Sequence, residues 1–586
     1  MKLRLLLCAA ASLSCATAPA RPPQSSAAAP VSRWADSVLA TMTLREKAAQ
    51  MVWPTVLGDY TPLDSPQWRR VAREITEDKV GGYTISVGSP TEIAAKLNAM
   101  QRLSKVPLLI GADLEFGAGF RARGGYFVPN AIDLGGAVLF PTQMALGAAR
   151  DAQLAYEQGR VTAIEGRALG IHIAYAPILD VNSNAANPVI NVRSYGEDPR
   201  LDGTLGAAFI RGLQEHGMLA TGKHFPGHGD TSINSHLALP VVTASRARLD
   251  SLEFVPFRAA IAAGVGAIMS FHGVMPALDS TGVPGTLSHA VMTELLRDEM
   301  GFKGVIISDA MDMRGVLDQF GATEATKRAV AAGADVLIQP LDVRATIDAI
   351  VEGVTEKRYT EATIDLAVRR LLALKQQMGL QRNSMVALDS VRAVVGDSAN
   401  FAVARTIADR SMVLVKDDLT QVPLPASPTA RVVSITVARR ADLAAGAAFN
   451  GELRRRFPGL RTIFVPADDI AGSLSRMNAA ADSSDVTIVG SYVGQGWDVT
   501  TVGAPQPFVD FVARRSLGAR KPVVVAFGNP YLLGQIPSAP AYLIAWSGVP
   551  VSQIAAARAL LGEIPITATL PISIPPARLG SGIRRP

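Results

Sequence analysis

Cysteine is almost absent from this chain, and its position matters as much as its rarity. Cys8 and Cys15 are the only two in 586 residues. Both lie in a leader-like segment, so what remains after its removal has no disulfide to form. Long apolar runs are lacking too: beyond residues 1–20 none is long enough to span a bilayer. No self-similarity of solenoid period is visible. Although the formal charge is +6 and the pI near 9.3, the basic residues are scattered among acidic ones and form no stripe with interleaved aromatics. That excludes the footprint of a nucleic-acid binder and leaves a solvated surface.

What is present begins with the leader. Residues 1–20, MKLRLLLCAAASLSCATAPA, combine Lys2 and Arg4, a short apolar run and small residues from Ala16 to Ala20, the layout of a secretory signal peptide. Ser12-Leu13-Ser14-Cys15 is a loose match to a bacterial lipoprotein cleavage site, with the large residue one place out of position. Two outcomes are open: lipidation at Cys15 with membrane anchoring, or simple cleavage near Ala18 or Ala20. Either one exports the protein, to the periplasm or, as a lipoprotein, to the outer membrane or cell surface. Residues 21–30, rich in Pro, Ser and Ala, read as a flexible tether.

The remaining length, in a chain that is 48% hydrophobic, can bury more than one core. Over residues 31–380, short β-branched runs alternate with segments of helical spacing. The runs start at Met51 (MVWPTV), Gly81 (GGYTISV), Val106 (VPLLIGAD), Ile171 (IHIAYAPILDV), Leu219 (LATGKHF), Gly266 (GAIMSFHG), Gly304 (GVIISDA) and Ala334 (ADVLIQP). Helices are expected over 148–169, 249–263 and 291–299, among others. Apolar runs without strict alternation suit strands buried on both faces, and eight of them separated by helices predict an α/β fold built on a parallel TIM-type (β/α)8 barrel. A polar linker is expected over 381–400. A second unit, an α/β layered sandwich over 401–580, follows, with strand candidates starting at Arg431, Leu460, Asp485, Pro522, Ala541 and Ala568 (ATLPISIP). It offers no dense cluster of ionisable groups and is expected to be mainly structural.

Asp113, Asp180, Lys223 with His224, His272 and Asp309 each fall at or just past the C-terminal end of an expected strand, the face at which such barrels place their chemistry. One Asp after a strand is commonly only a helix cap; five such strand ends point to a site. The densest feature is KHFPGHGDTSINSHLALP at Lys223, where three of the chain's seven histidines, His224, His228 and His236, fall within 13 residues. Zinc binding would use His224 and His228, four apart, but Pro226, Gly227 and Gly229 argue against the helix that spacing needs, and the Glu of a zincin motif is missing. A serine triad would use Ser235 beside His236, but no Gly-x-Ser-x-Gly elbow surrounds it. The third option is a histidine that gives a proton in a reaction whose nucleophile is a carboxylate, a task suited to an imidazole pKa near the working pH.

Taken together, KHFPGHGDTSINSH, GVIISDAMDM at Gly304 and APILDVNSNAANPVINVRSYGEDP at Ala176 resemble glycoside hydrolase family 3, in its β-N-acetylglucosaminidase (β-hexosaminidase) branch. MTLREKAAQM at Met42, AFGNPYLL at Ala526 and GEIPITATLPISIP at Gly562 extend the resemblance over nearly the whole chain after the leader, in the long exported form with a C-terminal sandwich domain. The resemblance implies that Asp309 is the nucleophile of a glycosyl-enzyme intermediate and His236 the acid/base, while Asp113, Arg193, Lys223 and His224 hold sugar hydroxyls. A retaining glycosidase needs such a fixed carboxylate and a proton donor about 5 Å from it. His228, between Gly227 and Gly229, is expected to brace the loop, and His272 either lines the pocket or is a satisfied core histidine. Where the family commonly carries Asp two residues before the acid/base histidine, this chain has Asn234. Asp230 is the candidate to supply the missing carboxylate and orient His236. Asp113-Leu114-Glu115-Phe116-Gly117 likewise departs from the Gln-Glu-Gly-Gly of shorter relatives. No cofactor or metal is implied.

The expected activity is exo-acting removal of terminal N-acetylglucosamine, with retention, from cell-wall or chitin-derived fragments. The alternatives are a β-glucosidase or β-xylosidase, a phosphorylase of the same family, since a histidine tolerates an anionic attacking group better than a carboxylate would, and a non-catalytic cell-wall binding protein.

Overall fold

The computed structural model describes residues 33–124, 135–494 and 499–586. The leader with Cys8 and Cys15, and the tether, lie outside them. Thr43 and Glu46 cap the helix Leu44–Gln50 reciprocally, and the chain then enters the barrel as β1 (Val52–Trp53) and β2 (Thr55–Val56). The two are one run divided at Pro54, which has no N–H to give a ladder. Then come β3 (Gly82–Ile85), β4 (Leu109–Ala112), β5 (Ile173–Ala174), β6 (Leu219–Phe225), β7 (Ala267–Ser270), β8 (Val305–Ile307) and β9 (Leu337–Ile338). β2 to β8 form one seven-stranded parallel sheet in chain order, and β1 pairs with β9. A bridge from Ile307 to Val336 joins the two pieces, and because β1 continues into β2 the ring closes. All eight sequence runs therefore contribute to the barrel.

Helices cover the outside. Several start at a residue whose side chain caps the first turn, as at Ser65, Ser89, Asp151, Asp198 and Asp342. Two of the expected helices are divided. Arg150 adopts φ 53° and ends the helix Gln143–Ala149, after which Asp151 caps a new one, Ala152–Ala168. Likewise Arg246–Ser251 stops at Leu252, and Phe254–Ala262 follows. The helix Ala290–Glu299 winds with π-type hydrogen bonds.

The second unit is a sheet of β10 (Val413–Asp417), β11 (Val432–Ala438), β12 (Arg461–Pro466), β13 (Val486–Ser491), β14 (Val523–Ala526) and β15 (Ala541–Ile544). The order is β10-β15-β14-β13-β11-β12, with only β10 antiparallel to its neighbour. Alternate side chains feed two cores. Val433, Ile435 and Val437 pack with Met477 and Phe511 on one face; Val432, Ile488 and Val523 pack with Phe449 and Leu453 on the other. This is a three-layer sandwich.

The expected last strand at Ala568 is a correction: the segment forms only isolated bridges, at Ile566 and Ile574. Pro571, Pro575 and Pro576 lack the donors a ladder requires. β10, with two charged residues, Lys416 and Asp417, in its five, was hidden from the pattern by its polarity. The proline-rich segment instead docks on the barrel: Ser573 donates to Glu197 through its N–H (2.8 Å) and its hydroxyl (2.5 Å), and the Glu197 N–H donates to the Pro571 carbonyl (3.0 Å). Leu570, Ile572 and Trp546 share a core with Met144, Leu146 and Tyr195 of the barrel. The stretch 381–400 also folds back on the barrel, with a short helix Val391–Val394 whose Val391 joins the barrel core. The two units thus meet through a shared apolar core, which positions the second one beside the active face.

One buried charge in this scaffold gives a testable consequence. Lys375 is 0% exposed; its ammonium donates to Gln50 Oε1 (2.6 Å) and has no ion-pair partner among the described residues. Burial pushes its pKa down from 10.5 to about 7. Between those two values the unfolded chain holds the proton and the folded protein does not, so stability rises with pH across that interval. Thermal melts are expected to move upward between about pH 7 and 9 in the wild type, and this rise should be largely missing in Lys375→Met.

Candidate active site

The polar groups at the C-terminal strand ends converge on one cavity of about 470 Å³. Asp113 follows β4, Lys223 and His224 lie within β6, and Asp309 stands two residues past β8. Arg193 closes a short 3-10 turn, Asn191–Arg193. His228 and His236 come from the loop after β6, where Gly227 takes φ 136°, a value other side chains rarely adopt. A Cβ there would lie 2.8 Å from Glu253 Oε2. Asp113, Arg193, Lys223, His224, His228, His236 and Asp309 all line this cavity.

One wall is a charge network. Lys223 Nζ donates to Asp113 Oδ1 (2.9 Å) and lies 2.7 Å from Glu115 Oε1. Arg193 grips Glu115 with Nε (3.0 Å) and Nη2 (2.7 Å), a bidentate pairing. Arg121 closes the set on Asp113. Burial pushes the Asp113 and Glu115 carboxyls up, but the Lys223 ammonium and the Arg121 and Arg193 guanidiniums outweigh it and hold both below the usual carboxylate range. Lys223, with two of its three N–H groups committed, keeps a donor for a ligand hydroxyl. Glu115→Gln should leave Arg193 and Lys223 under-compensated, a change that costs about 3–5 kcal/mol when a buried pair is broken. Urea unfolding should register the loss, and KM should rise because Lys223 is no longer held.

A second wall is organised by Asp180, which is 0% exposed. It accepts the Nδ1 hydrogen of His224 (2.7 Å) and the backbone N–H groups of His224 (3.1 Å) and His228 (2.8 Å). Nε2 of His224 is therefore the ring nitrogen left to a ligand. His228 braces the loop: its ring nitrogens meet Thr231 Oγ1 and Ser235 Oγ, both at 2.9 Å. Burial pushes its pKa down to about 3, so it stays neutral. Ser235 does meet a histidine, but that histidine leads on to a threonine hydroxyl and not to a carboxylate, which is no serine triad.

Asp309 faces these groups. Its Oδ1 accepts from the Ala310 N–H (2.8 Å), and its own N–H donates to Ser270 Oγ (3.3 Å). Burial alone would raise its pKa; the surrounding imidazoles of His272, His224 and His236, with the Ala310 N–H, hold it below the ordinary value, so it is ionised. His272 is the satisfied core histidine, bonded to Thr286 Oγ1 (2.7 Å) and the Ala310 carbonyl (2.9 Å).

His236 is oriented by Asn234, whose Oδ1 accepts from the ring Nδ1 (2.9 Å) and the backbone N–H (3.0 Å) of His236. Asp230 does not take this part. It pairs with Arg248 at 3.2 Å, because the loop turns it toward the helix Arg246–Ser251 instead of the cavity. Glu115, Arg121 and Asp180 were given no role by the sequence pattern. Asp180 and Glu115 had a signal, a carboxylate at or near a strand end; Arg121, in a Gly-rich stretch, had none.

A parallel barrel that gathers a half-buried carboxylate, an imidazole, cations and further carboxylates around one polar cavity at its C-terminal strand ends has the make-up of an enzyme site. The model for the glycosyl hydrolase family 3 N-terminal domain matches residues 43–374. A β-N-acetylglucosaminidase/β-glucosidase of Cellulomonas fimi is 30% identical, over 84% of this chain and 88% of its own. β-Hexosaminidase A of Pseudoalteromonas piscicida is 30% identical, over 62% of this chain and 64% of its own. A solved family 3 β-N-acetylglucosaminidase from Paenibacillus sp. str. FPU-7 has a TM-score of 0.80 at 31% identity and covers 92% of this chain and 100% of its own. The chain belongs to glycoside hydrolase family 3.

Proposed function

We propose that this enzyme is a retaining exo-β-N-acetylhexosaminidase that removes terminal N-acetylglucosamine. The observation that carries this reading is that Asp309 and His236 line the same cavity, with the KHFPGHGDTSINSH loop forming one wall; the names of the relatives support the choice of sugar. In the first step Asp309 attacks the anomeric carbon while the leaving oxygen takes the proton on His236 Nε2. In the second, His236 Nε2 takes a proton from water, which displaces Asp309 and restores the starting configuration. Lys223, Asp113, Arg193 and His224 hold the hydroxyls, and the edge-packed Phe116 and Phe120 rings, 5.1 Å apart, offer an apolar rim.

Incubation with chromogenic β-N-acetylglucosaminide and β-glucoside, each with and without phosphate, tests the reading. Faster release from the N-acetylglucosaminide, unaffected by phosphate and giving the β-anomer first, is the expected result. A sugar phosphate product would make the enzyme a phosphorylase, and preference for the glucoside a glucosidase. Release from neither, with retained binding of wall fragments, would leave a binding protein. We further propose that it works outside the cytoplasm on cell-wall or chitin fragments, on the strength of residues 1–20 and Cys15. Fractionation should find the mature protein outside the cytoplasm; lipid on Cys15, lost in Cys15→Ser, would establish anchoring, and a mature N-terminus near Ala18 or Ala20 would establish simple cleavage.

A further inference from the structure

Asparagine side chains line the seam between the two units. Asn182 Nδ2 donates to the Tyr531 hydroxyl (2.7 Å), Asn191 Nδ2 to Asn529 Oδ1 (3.3 Å) and Asn529 Nδ2 to the Val502 carbonyl (2.7 Å). A fourth contact reaches the catalytic machinery: Asn234 Nδ2 donates to the Val499 carbonyl (2.8 Å), while Oδ1 of the same amide receives the His236 ring and backbone N–H groups. We propose that Asn234 is a positioning residue through which the second domain sets the tautomer and aim of His236. The inference rests on the acid/base role given to His236 above.

The two ends of the amide are distinguished by their partners. Only Oδ1 can accept a backbone N–H, and only Nδ2 can donate to a carbonyl. With Oδ1 against the ring, Nδ1 of His236 carries a hydrogen in both protonation states, so the proton that comes and goes is the one on Nε2. An Asp in this place would also orient the ring. Its second oxygen, however, would stand against the Val499 carbonyl, acceptor against acceptor, and the contact with the second domain would be lost. An amide is the side chain of this size that accepts from His236 and donates to Val499 at once. The segment it holds is anchored to the sandwich by Asn529 at Val502 and by Gln535, whose Oε1 accepts the Ala504 N–H (2.8 Å). Asn529 does not line the catalytic cavity. Its Oδ1 caps the turn Pro530–Gly534 by accepting the Tyr531 N–H (3.1 Å).

The test compares kcat/KM on an alkyl β-N-acetylglucosaminide, which needs a proton donor, with that on an activated aryl one, which barely does. Asn234→Ala should lower the alkyl value by about 10²-fold or more, the scale of general acid catalysis, and the aryl value by less than about tenfold. Asn234→Asp should move the alkaline limb of the alkyl profile upward, since a carboxylate favours the imidazolium; Asp309, Asp113, Arg193 and His224 also act on His236 and are unchanged in this variant. Asn529→Ser keeps an oxygen to cap Tyr531 but removes the amide that reaches the Val502 carbonyl, and should lower the alkyl-to-aryl ratio in the same direction by a smaller factor. Equal losses on both substrates in Asn234→Ala, or a wild-type ratio in a folded Asn529→Ser, would overturn the inference. A wild-type enzyme inactive on both substrates would instead remove the functional reading beneath it.

Discussion

Asp309→Ala is expected to abolish turnover, with a loss on the order of 10⁴- to 10⁶-fold, the range seen when the nucleophile of a hydrolase is removed. The fold should survive. The Asp309 carboxylate bonds only the adjacent Ala310 N–H and otherwise faces the cavity, and the backbone N–H given to Ser270 Oγ is kept in alanine. An activated fluoro sugar should label Asp309 covalently in the wild type, read by peptide mass, because departure of a good leaving group outpaces hydrolysis of the intermediate. In the alanine variant, azide should enter the space of the missing carboxylate and give a glycosyl azide of inverted configuration. A label on Asp113, Glu115 or Asp312, or residual activity above about a hundredth of wild type where general removal of a nucleophile leaves far less, would move the nucleophile elsewhere.

His236→Ala should slow substrates with poor leaving groups by about 10²- to 10⁴-fold and largely spare the first step on activated ones. Equal loss on both would reduce His236 to a loop-shaping residue. The pH dependence follows from its surroundings. Burial pushes the ring's pKa below its ordinary value, with Asp309 and Asp113 opposing and Arg193 and His224 assisting. The protonated form is the donor, so kcat/KM on an alkyl glycoside should fall as pH rises through a value lower than that of an exposed histidine, about 6.5. Activity that holds level well above that value would mean that a different group supplies the proton.

The barrel was legible because each strand is buried on both faces, so the apolar runs appear in the sequence whatever surrounds them. The inner strands of the sandwich were legible for the same reason, and β12, half-exposed at its edge, through its β-branched run; the polar edge strand β10 and the proline-rich segment after Ala568 were not. Helix breaks at Arg150 and Leu252 escaped notice because a single residue leaving helical φ/ψ scarcely alters a periodic pattern. Asp113 and Asp309 stood out because five expected strand ends carried such groups where one alone would read as a helix cap, and the three loop histidines because they crowd into one Gly- and Pro-rich stretch. Asp230 was misjudged because five residues of loop separate it from His236, and its direction depends on Arg248, which the loop pattern does not contain.

By itself, then, the sequence determined the two α/β units, the strand ends that carry the site, the nucleophile and acid/base candidates, and the family resemblance. The tertiary structure alone decided which groups answer one another. The grip of Arg193 on Glu115 spans 78 residues, that of Lys223 on Asp113 spans 110, and the bond from Asn234 to Val499 spans 265. Local composition records a residue's own preference for helix, strand or turn, but a hydrogen bond or ion pair depends on where the partner's backbone arrives after folding. That is why Asn234 looked like a lost carboxylate in the sequence and is, in the folded protein, an amide with a donor and an acceptor both in use.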